Sequence, residues 1–179
     1  MPISLPDNIR ELMGSEKRLA FRPKWDSDSD PRYFVLTVPV AVDNVIVGGF
    51  ELRAKVSKRH LDRDALMQLE FRWSGRERIE LARCQWRPFE THTNKNWGPP
   101  GHELRTFYEE SHHHSFEHNY LPQERRMRAG GSLPAALPIY PDPTTLSGFV
   151  AFCGECFKIN NINLLEMPGM TADMFWVEK

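Results

Sequence analysis

Six of the seven histidines in this chain lie between positions 92 and 118. The unperturbed pKa of an imidazole is about 6.5, so near neutral pH one ring can accept a proton while another donates one. The neutral ring is also a common ligand for transition metals. The segment therefore predicts the functional site, with either acid–base or metal-binding chemistry.

The local geometry decides which of these histidines meet. In a strand, His112, His114 and His118 share one face because side chains alternate. In a helix, Glu110, His114 and His118 lie four residues apart, a spacing typical of metal binding. The sequence leaves both geometries open, and it contains no HExxH motif. A purely structural role for the rings, in capping loops and stacking on aromatic side chains, is the alternative.

The enzymatic hypothesis is metal-independent cleavage of RNA. One histidine of the 112–118 stretch would deprotonate the 2′-hydroxyl, and His92 would protonate the leaving oxygen. An arginine, Arg105 or Arg125, would stabilise the charge of the phosphorane. The predicted catalytic residues are His92, His112, His114, His118 and Arg105.

Aromatic and basic residues around the histidines could hold single-stranded RNA by stacking and charge. The predicted substrate-binding residues are Trp97, Tyr108, Arg125 and Arg126. More basic residues fall on the polar side of the predicted sheet, at Arg53, Lys55, Arg72, Arg76 and Arg78. Glutamates are interspersed with them, which is also typical of an ordinary solvated sheet face.

Two cysteines form a CxxC pair at Cys153 and Cys156. A closed zinc site needs two more ligands, and no thioredoxin-like pattern surrounds the pair. Burial as free thiols is the first interpretation, with zinc shared with histidines and redox chemistry as alternatives. We predict no bound cofactor, although zinc at the histidine cluster stays open.

Part of the chain resembles TumE-type bacterial ribonuclease toxins, which are small proteins with strands leading into a loop of paired histidines. The resemblance rests on residues 79–86, Pro88, His92 and the run His112-His113-His114. It covers about a quarter of the chain. This chain is longer, and Ser111 stands where the toxins have a proline. The resemblance implies RNA cleavage and a cognate antitoxin.

Composition narrows the classes of partner. The net charge is −1, so no overall attraction to nucleic acid or membrane is expected. No apolar run could span a bilayer, and the first ten residues do not look like a secretory signal. Three cysteines indicate a reducing compartment, so we predict a cytoplasmic protein. The non-enzymatic alternative is a protein-interaction module of antitoxin, immunity or phage-encoded inhibitor type.

The elements that must position these residues are predicted from periodicity. Apolar residues alternate with polar ones in four successive stretches between residues 33 and 86, which predicts an antiparallel meander. Residues 87–143 are rich in proline, glycine and histidine, with strands expected near 104–108 and 135–140. Helices are expected at residues 9–14 and after Thr144 or Thr145. The prediction is a single α+β domain, 1–179, with a sheet of about four or more strands packed against one or two helices.

Overall fold

The computed structural model describes residues 5–72, 77–128 and 133–168. Its helices are α1 (Ile9–Gly14), α2 (Phe116–Asn119) and α3 (Leu146–Phe157), with a 3₁₀ turn at Ile162–Leu164. Its strands are β1 (Lys17–Leu19), β2 (Tyr33–Val42), β3 (Val45–Ser57), β4 (Ala65–Arg72), β5 (Arg78–Trp86), β6 (His92–Thr93), β7 (Thr106–Phe107), β8 (His112–His114), β9 (Tyr120–Leu121), β10 (Arg126–Met127) and β11 (Leu137–Pro138).

A seven-stranded antiparallel sheet organises the fold, in the order β1-β2-β3-β4-β5-β8-β11. The α+β class and the meander of β2 to β5 are confirmed. The sheet is larger than the meander because β8 and β11 come from the proline-rich segment and extend it beyond β5. Two further antiparallel pairs, β6 with β7 and β9 with β10, lie outside this sheet.

The core forms on the face of the meander where the apolar residues of β3 and β4 meet. Phe50 pairs with Phe71 and Leu52 with Leu69, and all four are buried. Apolar residues of α1 and α3 join the same cluster. On α3, the Phe149 ring lies 6.0 Å from the Trp86 ring of β5. The predicted burial of the alternating apolar sets is therefore confirmed.

Helix α3 begins as the sequence predicts. The side chain of Thr145 accepts a hydrogen bond from the backbone N–H of Gly148 at 3.0 Å, which supplies one of the partners that a helix start lacks. The helix ends at Phe157, and the next residue, Lys158, adopts a left-handed conformation. Nowhere in the described ranges is there a helix long and apolar enough to cross a membrane.

The segment of residues 87–143 supplies the short strands around the histidines. The strands expected near 104–108 and 135–140 are present as β7 and β11. The helical alternative for residues 110–118 is wrong for its first part. His112 to His114 are a strand, and only then does Ser115 cap the single turn of α2.

Candidate metal centre

Strand β8 determines which histidines face each other. In its ladder with β5, His114 pairs with Arg83 and His112 with Gln85. Side chains alternate across a strand, so His112 and His114 project to one face and His113 to the other. The His113 ring lies 6.0 Å from Phe152 of α3, which marks the helix side of the sheet.

His92 completes a cluster of three rings. It lies on β6, which pairs with β7 outside the main sheet. Its ring centroid is 5.3 Å from that of His112 and 4.6 Å from that of His114. The centroids of His112 and His114 are 5.1 Å apart. One nitrogen from each of the three rings lies within 4.8 Å of the other two.

The outer nitrogens of two rings are fixed by carbonyl oxygens. Nδ1 of His112 lies 2.7 Å from the carbonyl of Glu110, and Nε2 of His92 lies 3.2 Å from the carbonyl of Pro134. A carbonyl can only accept, so each of these nitrogens carries the proton. The lone pair of neutral His92 is therefore on Nδ1, and that of neutral His112 is on Nε2. The Gln85 atom that lies 3.1 Å from Nε2 of His112 is Oε1. An oxygen can only accept, so this lone pair requires the Gln85 amide to turn its NH₂ group toward the ring.

Asn94 holds His92 in this orientation. Its amide nitrogen donates to the carbonyls of His102 and Ala136, at 2.7 and 3.0 Å. Its oxygen accepts from the N–H of Ala136 at 2.9 Å and from Nε2 of His92 at 3.1 Å. These partners fix which end of the amide is oxygen, and the side chain is fully buried.

His114 differs from the other two because the guanidinium of Arg83 donates a hydrogen bond to its lone pair. Nη2 of Arg83 lies 3.3 Å from Nε2 of His114, and a guanidinium can only donate. The ring proton is therefore on Nδ1. That nitrogen is buried and makes no well-formed hydrogen bond among the described residues, although the backbone of Leu133 is close enough to the ring to raise its pKa slightly against the effect of burial.

Electrostatics keep the cluster neutral. Burial lowers the pKa of His112 to about 4 and that of His114 well below its usual value, and the charge of Arg83 acts in the same direction. Burial also lowers the pKa of His92. Neutral imidazoles offer lone pairs to a metal without first losing a proton, but they are poor proton donors near neutral pH.

The predicted fourth histidine is not in the cluster. His118 lies on α2, where its Nδ1 is 2.9 Å from Oγ of Ser115, the residue that caps this turn. The prediction that His112, His114 and His118 share a face is wrong for His118. The alternation was extended through residue 118, whereas the strand ends at His114.

The predicted catalytic arginine, Arg105, makes its ion pair away from the three histidines. Arg105 pairs with Glu110 at 2.6 Å and lies over the ring of Phe107, which is itself 4.9 Å from the His112 ring. The ring of Phe107 therefore separates Arg105 from His112.

The predicted substrate-binding residues are at the surface. Arg125 pairs with Asp7 and Arg126 with Glu124, at 2.6 and 2.5 Å. Trp97 and Tyr108 are 46% and 75% exposed. Within the described ranges, none of the four has a hydrogen bond, ion pair or ring contact to the three histidines.

The cysteines lie on the opposite side of the sheet. Cys84 pairs with His113 across the β5–β8 ladder, and its thiol is within hydrogen-bonding reach of Cys153 and Cys156 on α3. All three thiols are free. The sheet separates the CxxC pair from the three-histidine cluster, whereas His113 is on the cysteine side. Zinc shared between these cysteines and a histidine stays a prediction.

Three residues of the site were missed from the sequence: Arg83, Gln85 and Asn94. Arg83 and Gln85 flank Cys84 on a strand and face the histidines only because β8 pairs with β5, a long-range pairing without a local signal. Asn94 could have been found, since it lies two residues after His92 and asparagine is a frequent partner of loop backbone.

No family model, no curated protein and no solved structure matches this chain. The resemblance to TumE-type toxins stays a prediction, and a function has to be argued from the geometry.

Proposed function

We propose that this protein binds a divalent first-row transition metal ion, with zinc the expected one, through His92, His112 and His114. The observation that carries the proposal is the approach of one nitrogen from each ring to within 4.8 Å of the others. Ring nitrogens bound to zinc lie about 2.0–2.1 Å from the ion, and so about 3.3 Å from each other in a tetrahedron. Small rotations of the side chains would complete the site.

The outer hydrogen bonds support this proposal. A metal-binding histidine usually donates its other N–H to a carbonyl or carboxylate, which fixes the tautomer and orients the ring. His112 makes such a bond to Glu110, and His92 makes one to Pro134 and Asn94. His92 thus has the protonation that a metal ligand needs, and His112 has it once the Gln85 amide presents its NH₂ group to Nε2.

Three protein ligands leave one position of a tetrahedral ion open. Structural zinc sites usually have four protein ligands, whereas catalytic sites have three and keep the last for water or substrate. The described residues place only these three ligating side chains together. The arrangement therefore favours a reactive or exchangeable centre.

Metal-independent RNA cleavage by the same histidines is the weaker proposal. A general acid has to be protonated near neutral pH, and the three clustered rings are neutral. The 2′-hydroxyl of a polymer also has to reach the catalytic base, and His112 and His114 are each only 1% exposed. The interaction-module alternative rests on exposed aromatic residues such as Trp97 and Tyr108, and no further feature of the structure favours it.

Calorimetric titration of chelator-treated protein with Zn²⁺ tests the proposal. We expect one saturable site, with an affinity at least about 100-fold lower in both His92→Ala and His112→Ala, since each removes a ligand. His92 is half-buried, so its variant should keep the fold, as circular dichroism would show. His118→Ala is the matched control and should bind like the wild type. Absence of a saturable site, or an equal loss in His118→Ala, would refute the metal centre.

A further inference from the structure

Arg83 is an unusual neighbour for three histidines. Its side chain is 18% exposed, and only Nη1 makes an ion pair, with Glu80 at 3.1 Å. Nη2 is bound to His114, and the buried Nε has no partner among the described residues. The guanidinium thus reaches the cluster with donors that Glu80 does not use.

The polar row that runs across the sheet to His114 contains a second such arginine. In register, Arg53 of β3 pairs with Gln68 of β4, Gln68 with Arg83, and Arg83 with His114. The buried Nε of Arg53 also has no partner among residues the structure describes. Spare buried donors are rare in folded proteins because leaving them unpaired costs free energy. The Arg83 end of this row is therefore short of acceptors, because the one carboxylate oxygen nearby without a hydrogen-bond partner, Oε2 of Glu70, belongs to a residue that pairs with Arg53 and Arg78.

A metal ion bound by the histidines would increase this shortage of hydrogen-bond acceptors for Arg83. An ion that takes Nε2 of His114 removes the acceptor of Nη2 on Arg83 and places two positive groups side by side. Their repulsion is weakly screened in a partly buried site. An anion that occupies the open position of the metal and accepts hydrogen bonds from Arg83 satisfies both the charge and the unpaired donors.

We propose that the metal ion and Arg83 together bind an oxyanion group, a carboxylate or a phosphate, of a small substrate. The inference rests on the proposed metal centre. The size limit follows from burial, since His112 and His114 are 1% exposed and only a small terminal group can approach them. The guanidinium fork matches the paired oxygens of both groups.

Co²⁺-loaded protein provides the test, because its visible absorption reports on the fourth ligand of the ion. The protein is titrated with inorganic phosphate in one arm and with acetate in the other, at ionic strength held constant with chloride. The two arms distinguish a phosphate ligand from a carboxylate ligand. We expect at least one arm to give a saturable spectral change. The arm with the higher affinity identifies the group.

Arg83→Gln should keep Co²⁺ and lower the affinity for that anion by about 10-fold or more, the usual effect of losing a charged hydrogen bond. Arg78→Gln is the matched control, since Arg78 lies on the same strand and pairs with Glu70 at 3.7 Å, and it should bind like the wild type. If Co²⁺ binds but neither anion changes the spectrum, or Arg83→Gln binds the anion as well as the wild type, the inference is wrong. A protein that binds no Co²⁺ refutes the metal centre, and this inference with it.

Discussion

Asn94 and Asn119 bind two consecutive residues of one extended segment. The side-chain amide of Asn94 both donates to and accepts from the backbone of Ala136, and that of Asn119 does the same with Ala135. Each amide therefore replaces the pair of hydrogen bonds that a neighbouring strand would provide. The segment they hold includes Pro134, whose carbonyl orients His92.

Replacing Asn94 by alanine should weaken both the fold and the site. The change leaves buried groups of Ala136 and His102 without partners, and each unsatisfied group costs about 1–3 kcal/mol. We expect the free energy of unfolding to fall by at least about 2 kcal/mol in urea denaturation. Metal affinity should fall by about 10- to 100-fold, as for other residues that orient a ligand. Asn160→Ala, at an exposed position, should change neither; equal effects in both variants would contradict this role of Asn94.

The stability of the metal-free protein should fall as the pH is lowered from about 6.5 to about 4. The pKa of His112 is lowered from 6.5 to about 4 on folding, so between these values the unfolded chain binds the extra proton. The stability that depends on neutral His112 is therefore fully present above pH 6.5, and it is lost as the pH falls toward 4. At about 1.4 kcal/mol per pH unit, His112 contributes about 3 kcal/mol.

Urea denaturation at pH 7 and pH 5 measures this dependence. His92 and His114 add to it in the same direction, because their pKa values are also lowered. His112→Gln removes one titrating group, so it should reduce the difference between the two pH values without abolishing it. A difference unchanged in this variant would show that His112 does not titrate as described.

Phe50 should be among the most costly core residues to truncate. It is fully buried and pairs with Phe71 across β3 and β4. Phe50→Ala should lower the free energy of unfolding by about 3–5 kcal/mol, since burial is lost and a cavity is left. Ile46→Ala, on the same strand but 57% exposed, is the control and should cost far less. Similar losses in both variants would mean that the apolar face of β3 was misassigned.

The parts of the fold that could be predicted from sequence are those in which apolar residues recur at a regular spacing over several neighbouring positions. Strands β2 to β5 are 8 to 13 residues long, so their alternation is repeated often enough to be read. Helix α3 has both a helical apolar spacing and a capping threonine. Strands β6 to β11 are two or three residues long, and their pairing depends on partners far away in the chain.

The sequence indicated where the candidate site lies in the chain, but it did not show which side chains meet there. The density of histidines pointed to the segment that contains the three-histidine cluster, and the strand alternative placed His112 and His114 together. Ser115 carried the signal that separates His118 from them, because serine favours a helix start and so ends the alternation. The role of Arg83 depends on the pairing of β5 with β8, which no local pattern encodes.

The short strand β8 has a consequence for how the chain folds. It joins β5 and β11 only after the loops from Gln85 to His112 and from His113 to Leu137 have closed. Loop closure costs entropy before the new contacts form, so long-range pairing tends to be slow. The hairpins of the meander need much shorter loops. We therefore expect the amides of β8 to gain protection last in pulse-labelling hydrogen exchange, so that the three-histidine cluster is completed only at the end of folding.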